Sequence, residues 1–472
     1  MPGKKAASRI TAVVLVLLCA AGFALPCTVL AEDYEAYIAG ASSEQSRETV
    51  TADFRLQNEE TSSLQYSFTV NKSGLYRIGI NYGFTAESAG EGLSLSLRID
   101  GELPFTEADD FTLKTPWSFG KIEKDSRGND IMPEQAVLPD GAFQWLYIGG
   151  GSYNTPALFY LKAGGHTLDV LMTSALFTVE KITVSGYSGA VPYSEYEKNV
   201  SDRKTGKAET ITLEAERPFL RSDSSILPKY DIQNASTNPS SPNKMLLNAL
   251  DGSNWTEAGQ WVEWKFKIET AGYYEIDIKS QQSEKSGMSV YRQILIDGSV
   301  PFAELEAYPF GYSSGWLMET LHGENGNFKF YFEPGEHTVR LLAVLGDSAT
   351  FSDEIFSVIL KLNEIYRSVI MITGTSPDMF FDFDLAAMLP ELKGDLENVL
   401  ARLEDLKKLI RQTLGGEGDS SSLNSIIVQI KKFVSNINSI PQNITAFNSN
   451  ITALSTWAQS FKSQPLSIDT IY

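Results

Sequence analysis

The chain of 472 residues is poor in the side chains that enzymes use most often. It has two cysteines, Cys19 and Cys27, and three histidines, His166, His322 and His337. Zinc sites need clustered nitrogen and sulfur ligands, and these few residues are scattered along the chain. The sequence also has no phosphate-binding loop of the Gly-x-x-x-x-Gly-Lys-Ser/Thr type. We therefore predict no catalytic residues and no enzymatic activity.

Outside its N-terminus the sequence has no long, uncharged apolar run. Residues 10–25 are apolar, follow three basic residues and precede small residues that end at Ala31. This order is typical of a secretory signal peptide over residues 1–31. A retained membrane anchor is the alternative, although the run is short for a span of about 20 residues. No later segment predicts a transmembrane helix in the mature chain.

The mature chain also lacks cysteine and an excess of positive charge. Both cysteines lie in the leader, so we predict neither disulfides nor thiol chemistry. Without the leader, 36 basic residues stand against 59 acidic ones, a net charge of −23. Such a surface repels nucleic acid, and a large secreted protein without cysteine is typical of bacteria. We expect a secreted protein, extracellular or on a bacterial cell surface, that binds no nucleic acid.

What the sequence does contain is an internal repeat. Alternating apolar residues over 64–70 and a glycine turn over 74–78 return 198 positions later. Ile99-Asp100-Gly101 recurs 197 positions later, and Phe159-Tyr160-Leu161 recurs 171 positions later. The fall in offset places about 26 extra residues in the first copy, after Phe105. Because period-two alternation indicates half-buried β-strands, the repeat predicts two antiparallel β-sandwich (jelly-roll) domains.

The predicted fold class is mainly β with an added α-helical part. The first sandwich is expected over 32–187, a polar linker over 188–209 and the second sandwich over 210–352. Apolar residues then recur every three or four positions, which predicts four amphipathic helices packed as a bundle over 353–464. Residues 465–472 alternate like a strand that lacks a following partner. They either pair with a sheet elsewhere in the chain or belong to a longer product.

Two of the three histidines are interpreted as parts of the scaffold. His166 and His337 occupy equivalent repeat positions, each after a glycine turn. A catalytic residue would rarely be duplicated together with its scaffold. His322 lies in a predicted loop with no second metal ligand nearby, so no histidine is assigned to a site.

Aromatic residues cluster in segments that we interpret as loops of the second sandwich. Aromatic rings stack on the C–H faces of sugars, while polar groups bind the hydroxyls. We therefore predict carbohydrate binding by Trp255, Tyr308, Phe310, Tyr312 and Trp316. Burial in the core is the alternative, and we assign Trp264 to the core because it has the inward position of its strand.

Several motifs of the second copy resemble jelly-roll carbohydrate-binding modules that begin with a Glu-x-Glu strand. They are Leu213-Glu214-Ala215-Glu216, the strand start at 271–274, Ile296-Asp297-Gly298 and the segment 335–339. The resemblance implies that Glu214 and Glu216 help to hold a structural calcium ion, a cation that prefers oxygen ligands. Asp353 is the nearest match to a third ligand, and capping of the following helix is its other interpretation. The first copy has Glu35-Ala36-Tyr37 instead of Glu-x-Glu.

The whole arrangement resembles the N-terminal half of large extracellular solute-binding proteins that serve bacterial sugar importers. The segments that carry this resemblance are 362–367, 373–378 and 464–469. It implies a non-catalytic carbohydrate-binding protein whose partner is an ABC importer permease or a following binding-protein domain. The alternatives are a structural or adhesive module without a small ligand and an accessory part of a glycoside hydrolase.

Overall fold

The computed structural model shows two antiparallel β-sandwiches and a helical bundle, which confirms the predicted fold class. It describes residues 33–41, 46–58, 63–84, 93–137, 142–150, 154–172, 177–203, 206, 209–232, 234–378, 380–381, 383–414 and 421–472. The predicted signal peptide lies outside these residues.

The first sandwich opens with the helix Tyr34–Gly40, which Asp33 caps by accepting a hydrogen bond from the Ala36 amide at 2.8 Å. Its strands are Thr49–Asn58, Ser63–Val70, Gly74–Phe84, Leu93–Ile99, Phe111–Leu113, Ala142–Trp145, Leu158–Leu161, Gly164–Met172 and Phe177–Gly186. Thr49–Asn58 belongs to both sheets: its first half pairs with Phe177–Gly186 and its second half with Ser63–Val70. The alternation over 64–70 places its apolar side chains in the core, as period two requires.

The second sandwich repeats this architecture. One sheet orders Tyr308–Phe310, Val290–Ile296, Gly335–Val344, Trp261–Ile268 and Leu220–Arg221. The facing sheet orders Pro228–Lys229, Ala249–Leu250, Ser467–Ile471, Asp277–Gln281 and Leu317–Thr320, with Leu213–Glu214 beside Ser467–Ile471. Two short pairs complete it: Gly272–Tyr274 with Phe330–Phe332, and His322–Gly323 with Gly326–Asn327. Trp264 is buried between the sheets, as predicted.

The extra residues of the first copy join the two sandwiches. They form the hairpin strands Trp117–Phe119 and Gln135–Val137, which extend a sheet of the second sandwich through the pairing of Trp117 with Arg221. Asp130 in this hairpin accepts a hydrogen bond from the Leu247 amide at 3.0 Å. Tyr147 donates a hydrogen bond of 2.7 Å to Gln293 across the same interface. The two sandwiches therefore share one sheet and one buried boundary.

The C-terminal segment is the last strand of the second sandwich. Every residue of Ser467–Ile471 is buried, and the strand pairs with Asp277–Gln281, Ala249–Leu250 and Leu213–Glu214. Its equivalent in the first copy is Phe177–Gly186, because Ile182 pairs with Ile80 as Ile471 pairs with Ile278. Of the two interpretations of this tail, pairing with a sheet elsewhere in the chain is the one observed. The bundle is therefore inserted before the final strand rather than following a finished sandwich.

The bundle contains the four predicted helices, Ala349–Thr373, Leu392–Leu414, Ser421–Ser435 and Ile444–Lys462, and the short helix Leu385–Met388. Their apolar faces form one core, separate from those of the sandwiches. The glycine pair at 415–416, interpreted as the end of the second helix, lies outside the described residues. None of the described helices combines the length and the apolar composition that a membrane crossing requires.

The range 188–209, interpreted as a linker, contains the helix Tyr193–Val200 of the second copy. The hydroxyls of Tyr193 and Tyr196 accept hydrogen bonds from the backbone amides of Lys329 and Tyr331, at 3.0 and 3.1 Å. In the first copy the hydroxyls of Tyr34 and Tyr37 accept from the amides of Leu158 and Tyr160, at 3.1 and 2.8 Å. Each sandwich therefore begins with a helix that two tyrosines fasten to it.

The two equivalent histidines connect separate segments of the scaffold through hydrogen-bonding contacts. His337 Nδ1 lies 2.7 Å from Asp297 Oδ2, and its Nε2 lies 2.8 Å from the Glu333 carbonyl oxygen. His166 has the same contacts with Asp100 and Lys162, both at 2.7 Å. Burial opposes protonation of His337, but the hydrogen bonds to Asp297 and Glu333 outweigh it and raise the pKa of His337.

The contacts of His337 with Asp297 and Glu333 predict that the stability of the second sandwich depends on pH. Because the pKa of His337 is raised above its usual value, the stabilisation is fully present below about pH 6.5 and is lost as the pH rises through the folded-state pKa. Replacing Asp297→Asn should lower the urea midpoint of the second sandwich at pH 5.5 and change it less at pH 8.5. The exposed control Glu284→Gln should have no such pH dependence, and a pH-independent effect of Asp297→Asn would contradict the prediction.

Candidate functional site

Three of the five aromatic residues predicted to bind carbohydrate are buried in the second sandwich. Tyr308 and Phe310 lie on the strand Tyr308–Phe310 and point into the core, as Phe111 and Leu113 do 197 positions earlier. Trp255 is fully buried. A sugar cannot stack on rings that the core already covers, so the prediction does not hold for these three residues in this structure.

Trp255 is held from both sides by polar groups. Its indole N–H donates a hydrogen bond of 3.1 Å to the carbonyl oxygen of Gln260. The guanidinium carbon of Arg292 lies 4.2 Å from its ring centre. Arg292 in turn donates to the carbonyl oxygen of Gln464 at 2.7 Å. Trp255 therefore supports the junction at which the chain leaves the bundle and enters the last strand.

Tyr312 and Trp316 lie at the surface, in the loop after Tyr308–Phe310. Tyr312 is 45% exposed, and Trp316 is partly exposed. The indole N–H of Trp316 donates a hydrogen bond of 2.6 Å to Asp231 Oδ2, and Lys229 Nζ lies 5.5 Å from its ring centre. These two contacts fix the orientation of the ring before any ligand arrives.

Asp231 is itself held by a buried amide. Asn248 Nδ2 donates hydrogen bonds to the carbonyl oxygens of Asp231 and Pro239, at 3.1 Å each, and to Thr237 Oγ1 at 2.8 Å. Its Oδ1 accepts from the Asp231 amide at 2.8 Å. One side chain thus fastens the loop that positions the partner of Trp316.

Apolar side chains continue this surface along the neighbouring edge strand. Leu317 and Met318, at the start of Leu317–Thr320, are 52% and 49% exposed. Met318 pairs in register with Lys279 of the adjacent strand. We call the surface formed by Lys229, Asp231, Tyr312, Trp316 and Leu317 the Trp316 surface. It combines the oriented indole of Trp316 and the exposed ring of Tyr312 with one carboxylate and one ammonium group, a composition that suits sugar recognition.

The acidic residues predicted to hold calcium lie at a different part of the sandwich. Glu216 is 1% exposed, and neither of its carboxylate oxygens has a hydrogen-bond partner in another residue of the described chain. Arg217 Nε is 3.8 Å from one of them. Burial raises the pKa of Glu216 to about 8, and the negative charges of Glu214 and Asp469 act in the same direction. A buried carboxylate that has no hydrogen-bond donor, and only one cationic group at 3.8 Å, fits a bound cation.

The other two predicted ligands fit less well. Glu214 Oε2 lies 2.7 Å from Arg217 Nε, so it already has a cationic partner. Asp353 lies on the first helix of the bundle, because Gly335–Val344 is not the last strand of the sandwich. Asp469 holds the predicted place on the true last strand, and its Oδ2 is 2.7 Å from Lys279 Nζ. Within the described chain, no three acidic, histidine or cysteine side chains converge to coordinate a metal.

Gly311–Gly315 has the Gly-x-Ser-x-Gly spacing of a hydrolase nucleophile turn. Such a turn connects a strand to a helix and exposes its serine to a histidine base. Here the segment connects the strands Tyr308–Phe310 and Leu317–Thr320, and Ser313 Oγ donates a hydrogen bond to the Gly315 carbonyl oxygen. The spacing therefore occurs without the geometry that catalysis needs.

Comparison with known proteins finds a family model that matches the bundle. Residues 351–461 match the family model "Bacterial solute-binding protein, 4-helix bundle domain", and no curated protein matches the chain. A cycloisomaltooligosaccharide glucanotransferase of Paenibacillus sp. is similar at 19% identity over 33% of this chain and 20% of its own, with a TM-score of 0.22. A family 35 carbohydrate-binding module from Clostridium thermocellum is similar at 12% identity over 34% of this chain and 99% of its own, with a TM-score of 0.16. The chain thus spans one fifth of the length of the glucanotransferase.

Proposed function

We propose that this chain is a secreted, non-catalytic carbohydrate-binding protein of a bacterial cell surface, associated with an ABC-type sugar importer. The observation that carries the proposal is Trp316, whose partly exposed ring is fixed by Asp231 in the loop that also holds the exposed Tyr312. The match of the bundle to solute-binding proteins supports the association with solute capture. In that arrangement the sandwiches bind the sugar, and the bundle contacts an importer permease or a following binding-protein domain.

The Trp316 surface can distinguish a sugar from a purely apolar ligand. The rings of Tyr312 and Trp316 offer flat apolar area for the C–H face of a pyranose. Asp231 and Lys229 stand beside the indole and can bind hydroxyl groups around the rim of the sugar. Since Asn248 already orders the Asp231 loop, binding costs little additional ordering.

We also propose that a calcium ion binds at Glu216 and stabilises the second sandwich. The buried carboxylate of Glu216, which has no hydrogen-bond partner in another residue of the described chain, supports this proposal. Glu214 and Asp469 flank it, and backbone carbonyl oxygens would have to complete the ligand set. The ion would neutralise the buried charge of Glu216, which Arg217 approaches only to 3.8 Å. Its role is structural, and it takes no part in sugar binding.

Replacing Trp316→Ala should weaken sugar binding by about 1–3 kcal/mol, or roughly 5- to 150-fold, because the stacking ring is lost. Affinity is measured by calorimetry with the sugar that a glycan array identifies. Trp316→Phe keeps a ring but loses the hydrogen bond to Asp231. Its affinity for the sugar should therefore lie between the affinities of the parent protein and of Trp316→Ala. The control Phe219→Ala removes an exposed ring elsewhere on the second sandwich and should leave the affinity unchanged.

The same glycan array distinguishes a carbohydrate-binding protein from a structural or adhesive module. Binding to at least one plant or microbial polysaccharide, weakened in Trp316→Ala, is the expected result. If the folded chain binds no polysaccharide on the array, the sandwiches are spacers or adhesive modules, and the proposed function is wrong.

A further inference from the structure

A polar cavity of about 150 Å³ lies at the boundary between the two sandwiches. The first sandwich contributes Arg77, Trp145, Tyr147 and Tyr187 to its walls, and the second contributes Gln293 and Glu306. Small-molecule sites often occur at such boundaries between domains. The cavity includes no residue of the Trp316 surface and no proposed calcium ligand, so neither proposal above uses it.

Arg77 brings an uncompensated positive charge to this cavity. Its guanidinium carbon lies 4.0 Å from the centre of the Trp145 ring. Its Nε is buried without a hydrogen-bond partner, and the guanidinium forms no ion pair with any carboxylate that the structure describes. Burial lowers the pKa of Arg77, because the charged form loses solvent. A guanidinium in this state favours an anionic ligand.

Arg340 shows how the same arrangement is completed elsewhere at the boundary. Its guanidinium carbon also lies 4.0 Å from the centre of an indole ring, that of Trp261. Its Nε donates a hydrogen bond of 2.8 Å to Glu263 Oε2, and another nitrogen donates to the Phe143 carbonyl oxygen at 3.1 Å. Arg77 has the ring but neither acceptor. A ligand carboxylate would supply to Arg77 what Glu263 supplies to Arg340.

The repeated scaffold does not require Arg77 or Trp145. The equivalent of Arg77, 198 positions later, is the exposed Glu275. Trp145 stands opposite Gly79, where a Cβ atom would lie 2.8 Å from the indole ring. The corresponding pair of the second copy consists of an aspartate and a threonine. The arginine and its aromatic platform are therefore particular to the copy that faces the cavity.

Other polar groups of the cavity are acceptors. The Tyr187 hydroxyl donates a hydrogen bond of 3.3 Å to Glu306 Oε1, and the Tyr147 hydroxyl donates one of 2.7 Å to Gln293 Oε1. Both hydroxyl hydrogens are therefore in use, and the two hydroxyl oxygens can accept. Burial raises the pKa of both tyrosines; the charge of Glu306 acts in the same direction and that of Arg77 in the opposite one. The two charges thus act on the same hydroxyls without forming an ion pair with each other.

The volume of the cavity limits the size of the ligand. A cavity of about 150 Å³ holds a molecule of roughly the size of benzene, with about six non-hydrogen atoms. A pyranose has about twelve, twice as many, so the cavity is too small for a sugar ring. The ligand is therefore a small molecule with an anionic group and a donor group close together.

We propose that this cavity binds a small α-amino acid, with its carboxylate on Arg77 and its ammonium group at Glu306 and the hydroxyl oxygens of Tyr147 and Tyr187. A zwitterion matches both the cationic donor and the cluster of acceptors. Since Arg77 belongs to the first sandwich and Glu306 to the second, the ligand would also connect the two sandwiches across their boundary.

Calorimetry on the full chain with L-alanine and L-lactate tests the proposal. Both ligands have six non-hydrogen atoms, and lactate carries a hydroxyl in place of the ammonium group. Alanine should bind with a dissociation constant of about 1 mM or lower. Lactate should bind about tenfold more weakly, because it offers no positive charge to Glu306. In Glu306→Gln this preference for alanine should shrink to about threefold or less.

Variants of Arg77 test the carboxylate end of the site. Arg77→Met should weaken alanine binding by at least about tenfold. Arg77→Lys keeps the charge but loses the planar fork, so its affinity should lie between those of the parent and of Arg77→Met. The control Arg55→Met, at an exposed position of the first sandwich, should bind alanine like the parent. If Arg77→Met does not fold, Arg77→Lys and Glu306→Gln still decide the outcome.

Three results would overturn the proposal. The first is no binding of alanine at about 10 mM, roughly ten times the expected dissociation constant. The second is equal affinity of the parent for alanine and lactate, since Glu306 would then take no part. The third is unchanged alanine binding in a folded Arg77→Met, which would place the ligand elsewhere. A chain that binds polysaccharide but not alanine would refute this proposal alone, and the reverse result would refute only the proposed function.

Discussion

A chain that ends at Gln464 is expected to lose the fold of its second sandwich while it keeps its helical bundle. The deleted segment includes Leu466, Ile468 and Ile471, which are buried in the core between the sheets. It also includes the strand that pairs with three others, so its loss leaves their backbone groups unpaired. The expected cost exceeds the total stability of an ordinary domain, about 5–15 kcal/mol.

Circular dichroism separates the two parts of the molecule. The near-ultraviolet signal of Trp255, Trp261 and Trp264, all buried in or beside this sandwich, should collapse, and the helical far-ultraviolet signal should remain. The milder variant Ile468→Ala keeps the strand and should cost about 2–5 kcal/mol. Tyr472→Ala, at the partly exposed end of the same segment, is the matched control and should cost far less. A deleted chain with a native tryptophan signal would show that the strand is dispensable.

The helices of the bundle could be predicted because their signal is local. Apolar residues every three or four positions identify each helix and its buried face without knowledge of the rest of the fold. Tyr193–Val200 was missed because it has only eight residues and a polar composition. Its pair of tyrosines, spaced like Tyr34 and Tyr37, was the available signal.

Long-range pairing could not be predicted in the same way. The alternation of residues 466–471 indicated a strand, but the position of its partners depends on contacts with residues more than 180 positions away. For the same reason the resemblance points to Asp353 as the third ligand, because the helical insertion separates the last strand, with Asp469, from the rest of its sandwich. The repeat offered a signal for this pairing, because the segment 466–471 is the only counterpart of Phe177–Gly186 among the described residues of the second copy.

For two of the aromatic residues, the alternation of inward and outward positions was a better guide to their location than their clustering in the sequence. Tyr308 and Phe310 have the same spacing as Phe111 and Leu113, and a repeat of inward positions indicates the core. Tyr312 and Trp316 fall in the following loop, where the repeat gives no such constraint. The distinction between core and candidate site was therefore available from the sequence for two of these residues, and Trp255 needed the structure.

Replacing Glu216→Gln is expected to stabilise the protein at pH 8.5 in the presence of a chelator. In the folded chain burial raises the pKa of Glu216 to about 8, from an ordinary value of 4.5. Between these values the folded state binds a proton that the unfolded state releases, so stability falls as the pH rises from about 4.5 to 8. A shift of this size corresponds at most to about 5 kcal/mol. The amide carries no charge, so the variant should lack this loss.

Calcium should narrow the difference in stability between the two proteins at pH 8.5. In the parent the ion neutralises Glu216, and at about 100 times its dissociation constant it contributes about 2.7 kcal/mol. The variant offers an amide in place of the buried carboxylate and should gain much less. Melting temperatures at pH 5 and 8.5, with chelator or with calcium, test both effects, and Glu257→Gln, at an exposed position, is the control. Burial disfavours the charged carboxylate of Glu216, whereas calcium would favour it. A parent protein whose melting temperature changes with neither pH nor calcium would therefore contradict both the raised pKa of Glu216 and its role as a cation ligand.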